Sequence, residues 1–209
     1  MPRRQQPPLR RGPPGSVRII GGTWRGRRVE VLDGAELRPT PDRVRETLFN
    51  WLMPVLAGAR CLDLYAGTGA LGLEALSRGA ADCWFVERDA RLGAALEATL
   101  LRFIGQGATG PDPARARGRV LVTDALGWLD RPPLAPFDVV FLDPPYAANN
   151  LGDLCKLLAR GWLAPVAWIY LETSRSQDLP ALPAGWQLHR ESRAGDVRYA
   201  LATVRSPKP

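Results

Sequence analysis

Asp143-Pro144-Pro145-Tyr146 follows the apolar run Phe137-Asp138-Val139-Val140-Phe141-Leu142, and its residue types suit one kind of chemistry. Two prolines at a strand end make a rigid extended turn with few backbone donors and outward-facing carbonyls. The exocyclic amine of a nucleic-acid base conjugates its lone pair into the ring and is a poor nucleophile. Two acceptors for its hydrogens draw the nitrogen out of the ring plane, and the Asp143 carboxylate and the Pro144 carbonyl form such a pair. Tyr146 offers a ring on which the base can stack and be held for in-line attack. A base inside a helix or loop must first be splayed out to reach such a site. Taken alone, the tetrapeptide is also compatible with a proline-stiffened structural turn.

A second motif supplies the other reactant. Cys61-Leu62-Asp63-Leu64-Tyr65 reads as a strand, and Ala66-Gly67-Thr68-Gly69-Ala70-Leu71-Gly72 carries the chain from it into a helix. Glycines let the backbone turn sharply and approach a ligand, and the helix start offers free amides. Gly67, Gly69 and Gly72 also satisfy the dinucleotide fingerprint, so the glycines alone do not choose between ligands. Asp63 does choose: just ahead of the loop it attracts an ammonium group and repels a pyrophosphate. Glu87 ends the next strand, placed for ribose hydroxyls. Asp124 closes the third strand, either as an acceptor for an adenine amino group or as a helix cap before Ala125. Joined to Asp143–Tyr146, these acids point to S-adenosylmethionine as methyl donor. A sulfonium electrophile requires no metal and no covalent nucleophile.

The elements that must hold these groups alternate along the chain. Strands are expected at 60–65, 82–87, 119–123, 137–142 and 166–172, and helices at 70–79, 90–104, 125–130 and 151–160. Thr40-Pro41-Asp42 reads as a helix start with a capping hydroxyl, after which Val44, Leu48, Trp51, Leu52 and Val55 share a face. Short apolar strands alternating with helices argue an α/β, mostly parallel, doubly wound sheet. Two consecutive strands at 186–192 and 197–205 add the C-terminal antiparallel hairpin seen in Rossmann-like class I methyltransferases. Ahead of the sheet, Val17–Ile20 and Arg28–Val31 form a small β-hairpin with arginines facing outward. The expected organisation is a disordered basic arm over 1–15, an RNA-contacting hairpin over 16–37 and a methyltransferase domain over 38–209. The Gly- and Pro-rich stretch 105–118 reads as a mobile loop.

Charge narrows the partner. The chain of 209 residues carries a net charge of +7, and residues 1–28 hold eight arginines and no acid. The rest is near neutral, so the positive charge is an N-terminal feature suited to a polyanion; a merely solubilising tail is the plainer reading. Arg18, Arg25, Arg27 and Arg28 are the candidate RNA contacts, and Trp24 between them is the candidate stacking ring. Trp51, Trp84, Trp128 and Trp168 fit apolar patterns and belong to the core. Cys61, Cys83 and Cys155 form neither a disulfide framework nor a zinc motif. His189, the one histidine, assembles no catalytic triad. With no run of ~18 apolar residues and no signal-peptide core, a soluble cytoplasmic protein is expected.

Longer stretches carry a resemblance. Arg18-Ile19-Ile20-Gly21-Gly22-x-Trp24-Arg25-Gly26-Arg27, Arg38-Pro39-Thr40-x-Asp42-Arg43-Val44-Arg45-Glu46-Thr47-Leu48-Phe49-Asn50-Trp51-Leu52, Leu71-Gly72-Leu73-Glu74-Ala75-Leu76-Ser77-Arg78 and Leu188-His189-Arg190-Glu191 are similar to the bacterial RsmD-type 16S rRNA guanine 2-amino methyltransferases. The resemblance runs from Val17 nearly to the end. It implies cofactor binding by residues 63–72, including Ala66 and Thr68, with Glu87 and Asp124, and target-base binding by Asp143–Tyr146. It also implies that the segment with Arg38 and Thr40 lies over the cofactor, and that the substrate is rRNA in an assembling or assembled 30S particle. The protein is expected to act as a monomer. The proline-rich arm and the 105–118 loop are longer than the family pattern, and Tyr146 stands where members can carry Phe.

Other functions share parts of the pattern. A DNA or RNA adenine amino-methyltransferase has both motifs, although a DNA enzyme needs a sequence-reading domain for which 209 residues leave little room. Protein-glutamine methyltransferases typically carry Asn at the place of Asp143. A catalytically idle RNA-binding assembly factor has no use for an intact Asp143, Tyr146 and glycine loop, and a hydride-transferring oxidoreductase has none for Asp63.

Overall fold

The computed structural model describes residues 15–32, 40–105, 117–133 and 135–205. Two short strands come first: β1 (Ser16–Arg18) and β2 (Arg28–Glu30) pair antiparallel, with Val17 opposite Val29 and Arg18 opposite Arg28. Strand alternation sends Val17 and Val29 inward and both arginines outward. α1 (Asp42–Leu56) then buries Val44, Leu48 and Leu52 along one face, as the 3.6-residue spacing requires. Its start differs from expectation. Pro41, in an extended conformation, takes the cap position and its carbonyl receives the Val44 and Arg45 amides. The Thr40 hydroxyl makes no cap bond and is directed elsewhere.

The strand–helix alternation follows as β3 (Arg60–Asp63), α2 (Ala70–Ser77), β4 (Asp82–Glu87), α3 (Ala90–Gly105), β5 (Arg117–Val122), α4 (Ala125–Leu129) and β6 (Phe137–Leu142). After a 3-10 turn at Tyr146–Ala148 come α5 (Leu151–Leu158), β7 (Leu163–Ser174), β8 (Trp186–Ala194) and β9 (Val197–Arg205). Seven strands form one sheet in the order β5-β4-β3-β6-β7-β9-β8. The first five are parallel; β9 inserts antiparallel between β7 and β8. β7 is longer than the sequence pattern indicates because it pairs with β9 from Val166 to Ser174. Of the described residues, no helix is long and apolar enough to cross a membrane.

Both sheet faces are covered. On one, Phe85, Phe141 and Tyr170 pack against Leu48, Leu73 and Leu100 from α1, α2 and α3, and the N-terminal ribbon adds Ile19 and Trp24. On the other, Leu62, Val86 and Val140 meet Trp128, Leu154 and Trp162. The ribbon is anchored by α2: the buried Glu74 carboxylate accepts from the Ile20 and Gly21 amides at 2.7 and 2.8 Å, and the Ser77 hydroxyl accepts from the Trp24 amide at 2.9 Å. The expectations for the basic arm at residues 1–14, for Arg38 within 33–39, and for the loop interior at 106–116 lie outside the described residues.

Candidate active site

Strand register gathers the acids. Asp63 pairs with Phe85 on one side and Phe141 on the other, Glu87 pairs with Val122, and Leu142 pairs with Leu171. Glu87 and Asp143 each lie two residues beyond those neighbours of Asp63, and Asp124 lies two beyond Val122. Side chains alternate along a strand, so these positions share one face at the carboxyl ends of adjacent parallel strands. That edge, on either side of the switch between β3 and β6, is where open α/β sheets bind ligands.

On the β3 side the chain satisfies much of the loop itself. Gly67 and Gly69 adopt φ of +52° and +76°, a left-handed conformation that glycine enters without a Cβ penalty, and Gly69 leads into α2 with no side-chain cap. Asp63 Oδ2 accepts from the Gly72 amide at 3.0 Å. Burial is the main cause that pushes the Asp63 carboxyl up to about 7; the Glu87 charge adds to it and the Gly72 amide opposes it. Asp63 is 2% exposed and has no cationic partner among the described residues. Glu87 accepts from the Gly67 amide through Oε2 and from the Asp89 amide through Oε1, both at 2.8 Å. Each Glu87 oxygen keeps a second lone-pair direction for a ribose hydroxyl. Asp124 does cap α4, accepting from the Gly127 amide at 2.9 Å through Oδ1, and stays exposed at the crevice.

These residues fit S-adenosylmethionine on chemical grounds. A buried carboxylate without a cation matches the ammonium of its amino-acid moiety, and the uncapped glycine turn admits close backbone approach.

On the β6 side the acceptors are held differently. Asp143 Oδ2 accepts from the Thr40 hydroxyl at 3.0 Å, so Thr40 reaches Asp143 rather than capping α1. Burial, then the nearby Glu172 charge, raises the Asp143 carboxyl well above the ordinary carboxylate range; the Thr40 hydrogen bond opposes them. The Tyr146 hydroxyl donates to Glu172 Oε1 at 3.1 Å, and the Tyr170 hydroxyl donates to Oε2 at 2.6 Å. Glu172 is itself raised, chiefly by burial. Sequence reasoning passed over Glu172, yet the signal was there: Ile169-Tyr170-Leu171-Glu172 is another apolar strand ending in an acid. Tyr65 links the two sides, its hydroxyl accepting from Asn150 Nδ2 at 2.9 Å.

The N-terminal candidates divide. Arg18, Arg25 and Arg28 are exposed, whereas Arg27 is partly buried, donating to the Phe103 carbonyl at 2.9 Å and lying over the Phe103 ring. The expectation for Trp24 is corrected. Its side chain is 2% exposed and meets Phe103 edge-on at 5.3 Å, so no ring face is open to a base. The bend of the ribbon over α2 turns this tryptophan into the core. Trp84 and Trp128 are buried as expected, and all three cysteines are free and buried.

Fold and site together define a class I, S-adenosylmethionine-dependent methyltransferase. A family model described as Conserved hypothetical protein 95 matches residues 17–203, and the chain belongs to that family. It is 46% identical over 188 residues to ribosomal RNA small subunit methyltransferase D of Escherichia coli K12, covering 90% of this chain and 89% of that protein. It is 43% identical over 189 residues to the Haemophilus influenzae protein of the same name, covering 90% and 93%. The solved structure of yhhF from Escherichia coli superposes with a TM-score of 0.79 at 43% identity, over 92% of this chain and 100% of that one.

Proposed function

We propose that this chain transfers a methyl group from S-adenosylmethionine to the 2-amino group of a guanine in small-subunit (16S) rRNA. It acts in the cytoplasm, as a monomer, on rRNA in an assembling or assembled 30S particle. The observation that carries the reaction type is the placement of Asp143, a carboxylate of raised proton affinity, one strand away from the glycine loop. The names and coverage of the Escherichia coli and Haemophilus influenzae relatives support the rRNA substrate, and the family resemblance implies the guanine.

The bound cofactor supplies an electrophilic methyl group. Asp63 would hold its ammonium, the 66–69 turn would receive its amino-acid end, and Glu87 and Asp124 would take the ribose and adenine. Arg38 and Thr40 are assigned to the same cofactor by the family resemblance. Asp143 and the Pro144 carbonyl each accept one hydrogen of the target amine and turn its lone pair toward the methyl. Tyr146 stacks on the base. On methyl transfer the target nitrogen would shed one proton, and the Asp143 carboxylate, whose environment favours the protonated form, would take it. The exposed Arg18, Arg25 and Arg28, with Arg27 behind them, grip the phosphate backbone. Arg25→Ala with Arg28→Ala therefore weakens RNA retention and shallows its salt dependence by about one unit per lost contact.

The deciding experiment maps modified nucleosides in rRNA by mass spectrometry, with and without the gene. One 2-methylguanosine of the small subunit should disappear and return on complementation; an unchanged pattern sinks the reading.

A further inference from the structure

Behind Tyr146 lies a cavity of about 100 Å³, lined by Pro144, Tyr146, Asn150, Glu172 and Gln177 among others. It is continuous with the target-base turn, because Pro144, Pro145 and Tyr146 form one of its walls. Its polar lining is rich in acceptors. Asn150 Oδ1 is buried with no hydrogen-bond partner, since the amide spends its nitrogen on Tyr65. Glu172 is 4% exposed, and its partners are hydroxyls: Tyr146 on one oxygen, Tyr170 on the other, and Thr40. No arginine or lysine among the described residues pairs with it. A carboxylate has about four lone-pair directions, so acceptor capacity remains. The strand register completes the geometry: Leu142 lies opposite Leu171, which makes Asp143 and Glu172 the next residues on adjacent parallel strands.

Two such acceptors, the unneutralised Glu172 carboxylate and Asn150 Oδ1, call for a ligand edge made of donors. Among the four bases only guanine carries a ring N–H beside an amino group, three hydrogens along one edge. Adenine and cytosine place a bare ring nitrogen next to the amine, which would confront the Glu172 carboxylate lone pair to lone pair. We propose that Glu172 is a specificity-determining residue that accepts the N1–H of the target guanine, while Asp143 and the Pro144 carbonyl hold the two hydrogens of the 2-amino group. This inference rests on the proposed guanine-directed reaction. It adds what that reading lacks, a chemical reason for guanine over adenine in a site whose amine-binding turn suits both.

The test changes single atoms of the base. Small-subunit rRNA is assembled by splinted ligation with guanine, 6-thioguanine or 2-aminopurine at the mapped position, and methyl transfer is measured with labelled S-adenosylmethionine. All three bases keep the 2-amino group; 6-thioguanine keeps N1–H, and 2-aminopurine has a bare N1. The wild-type protein should prefer guanine over 2-aminopurine by about 100-fold or more in kcat/KM, because a site built for a hydrogen bond rejects an analogue lacking it. 6-Thioguanine should stay within about tenfold of guanine. Glu172→Gln carries an amide that can donate to the bare N1, so its preference for guanine over 2-aminopurine should collapse by at least about tenfold. Glu172→Asp keeps the charge but withdraws it, giving an intermediate ratio and a second route should the glutamine variant not fold. Equal guanine preference in the wild type and a folded variant, or wild-type indifference to 2-aminopurine, overturns the assignment. Failure of the wild type to methylate guanine at all overturns the proposed reaction instead, so the two failures are distinct.

Discussion

The two halves of the crevice treat their carboxylates in opposite ways. Around the glycine loop the acids are tied to the chain's own amides: Asp63 to Gly72, Glu87 to Gly67 and Asp89, Asp124 to Gly127. Around the Asp-Pro-Pro-Tyr turn, Asp143 and Glu172 are met by hydroxyls of Thr40, Tyr146 and Tyr170. Amide contacts shape a loop before any ligand arrives, which lowers the ordering cost of binding. Burial, joined at Asp143 by the charge of Glu172, raises the proton affinity of the second pair, and the hydroxyls offset that only in part. On the proposed reading, the cofactor half is thus preformed and the target half is held ready for an amine.

The contrast can be broken from either side. The largest effect is expected from Asp143→Ala, which removes an acceptor used at the transition state: methyl transfer should fall by about 10³-fold or more, while cofactor binding by calorimetry and RNA retention persist. A variant with normal turnover dissolves the distinction between the halves.

Asp63 gives the next effect, through pH. Its carboxyl is raised from 3.8 to about 7 in the folded protein, so between those values the folded state holds more protons than the unfolded one. For this group alone, stability of the ligand-free protein is therefore greatest below the unfolded value and declines as pH rises toward 7. Ligand affinity runs the other way. An ammonium prefers ionised Asp63, so binding of S-adenosylhomocysteine should strengthen about tenfold per pH unit below 7 and level off above it. Asp63→Asn should bind weakly with a flat profile in the same calorimetric series.

A smaller effect is expected at Gly69, where φ is +76° and an added Cβ would come within 2.2 Å of Leu96. Gly69→Ala should cost about 1–3 kcal/mol of stability by denaturant titration and weaken cofactor binding, with little change in guanine selectivity. The smallest belongs to Tyr146→Phe. It keeps the stacking ring and removes the 3.1 Å bond to Glu172, so turnover should fall less than about tenfold; a loss as large as that of Asp143→Ala would show that the hydroxyl, not the ring, does the positioning.

Much of this architecture was readable in advance, for a physical reason. Apolar runs such as Cys83–Val86 and Val139–Leu142, short and rich in β-branched and aromatic residues, suit a buried strand, and they fall in β4 and β6, which keep the expected limits 82–87 and 137–142. The strand expected at 60–65 stops at Asp63 because the chain turns at once into the glycine loop. Trp24 and Thr40 misled for a shared reason: their neighbours suggest a local role, an arginine-flanked stacking ring and a helix cap. Their actual partners, Phe103 and Asp143, are remote in sequence. Local propensity says little where a long-range contact is stronger.

What the sequence determined by itself was the set of chemical groups and the strand end each one occupies. Asp63, Glu87, Asp124 and Asp143 each follow an apolar run, and alternation constrains the face of each. The tertiary structure decided which strands became neighbours and in what register. Parallel pairing of β6 with β7 places Glu172 beside Asp143, and the approach of the segment before α1 brings Thr40 to the same carboxylate. Neither pairing is encoded in local spacing, because hydrogen bonding between strands is blind to sequence separation and only the packing of the whole sheet selects it.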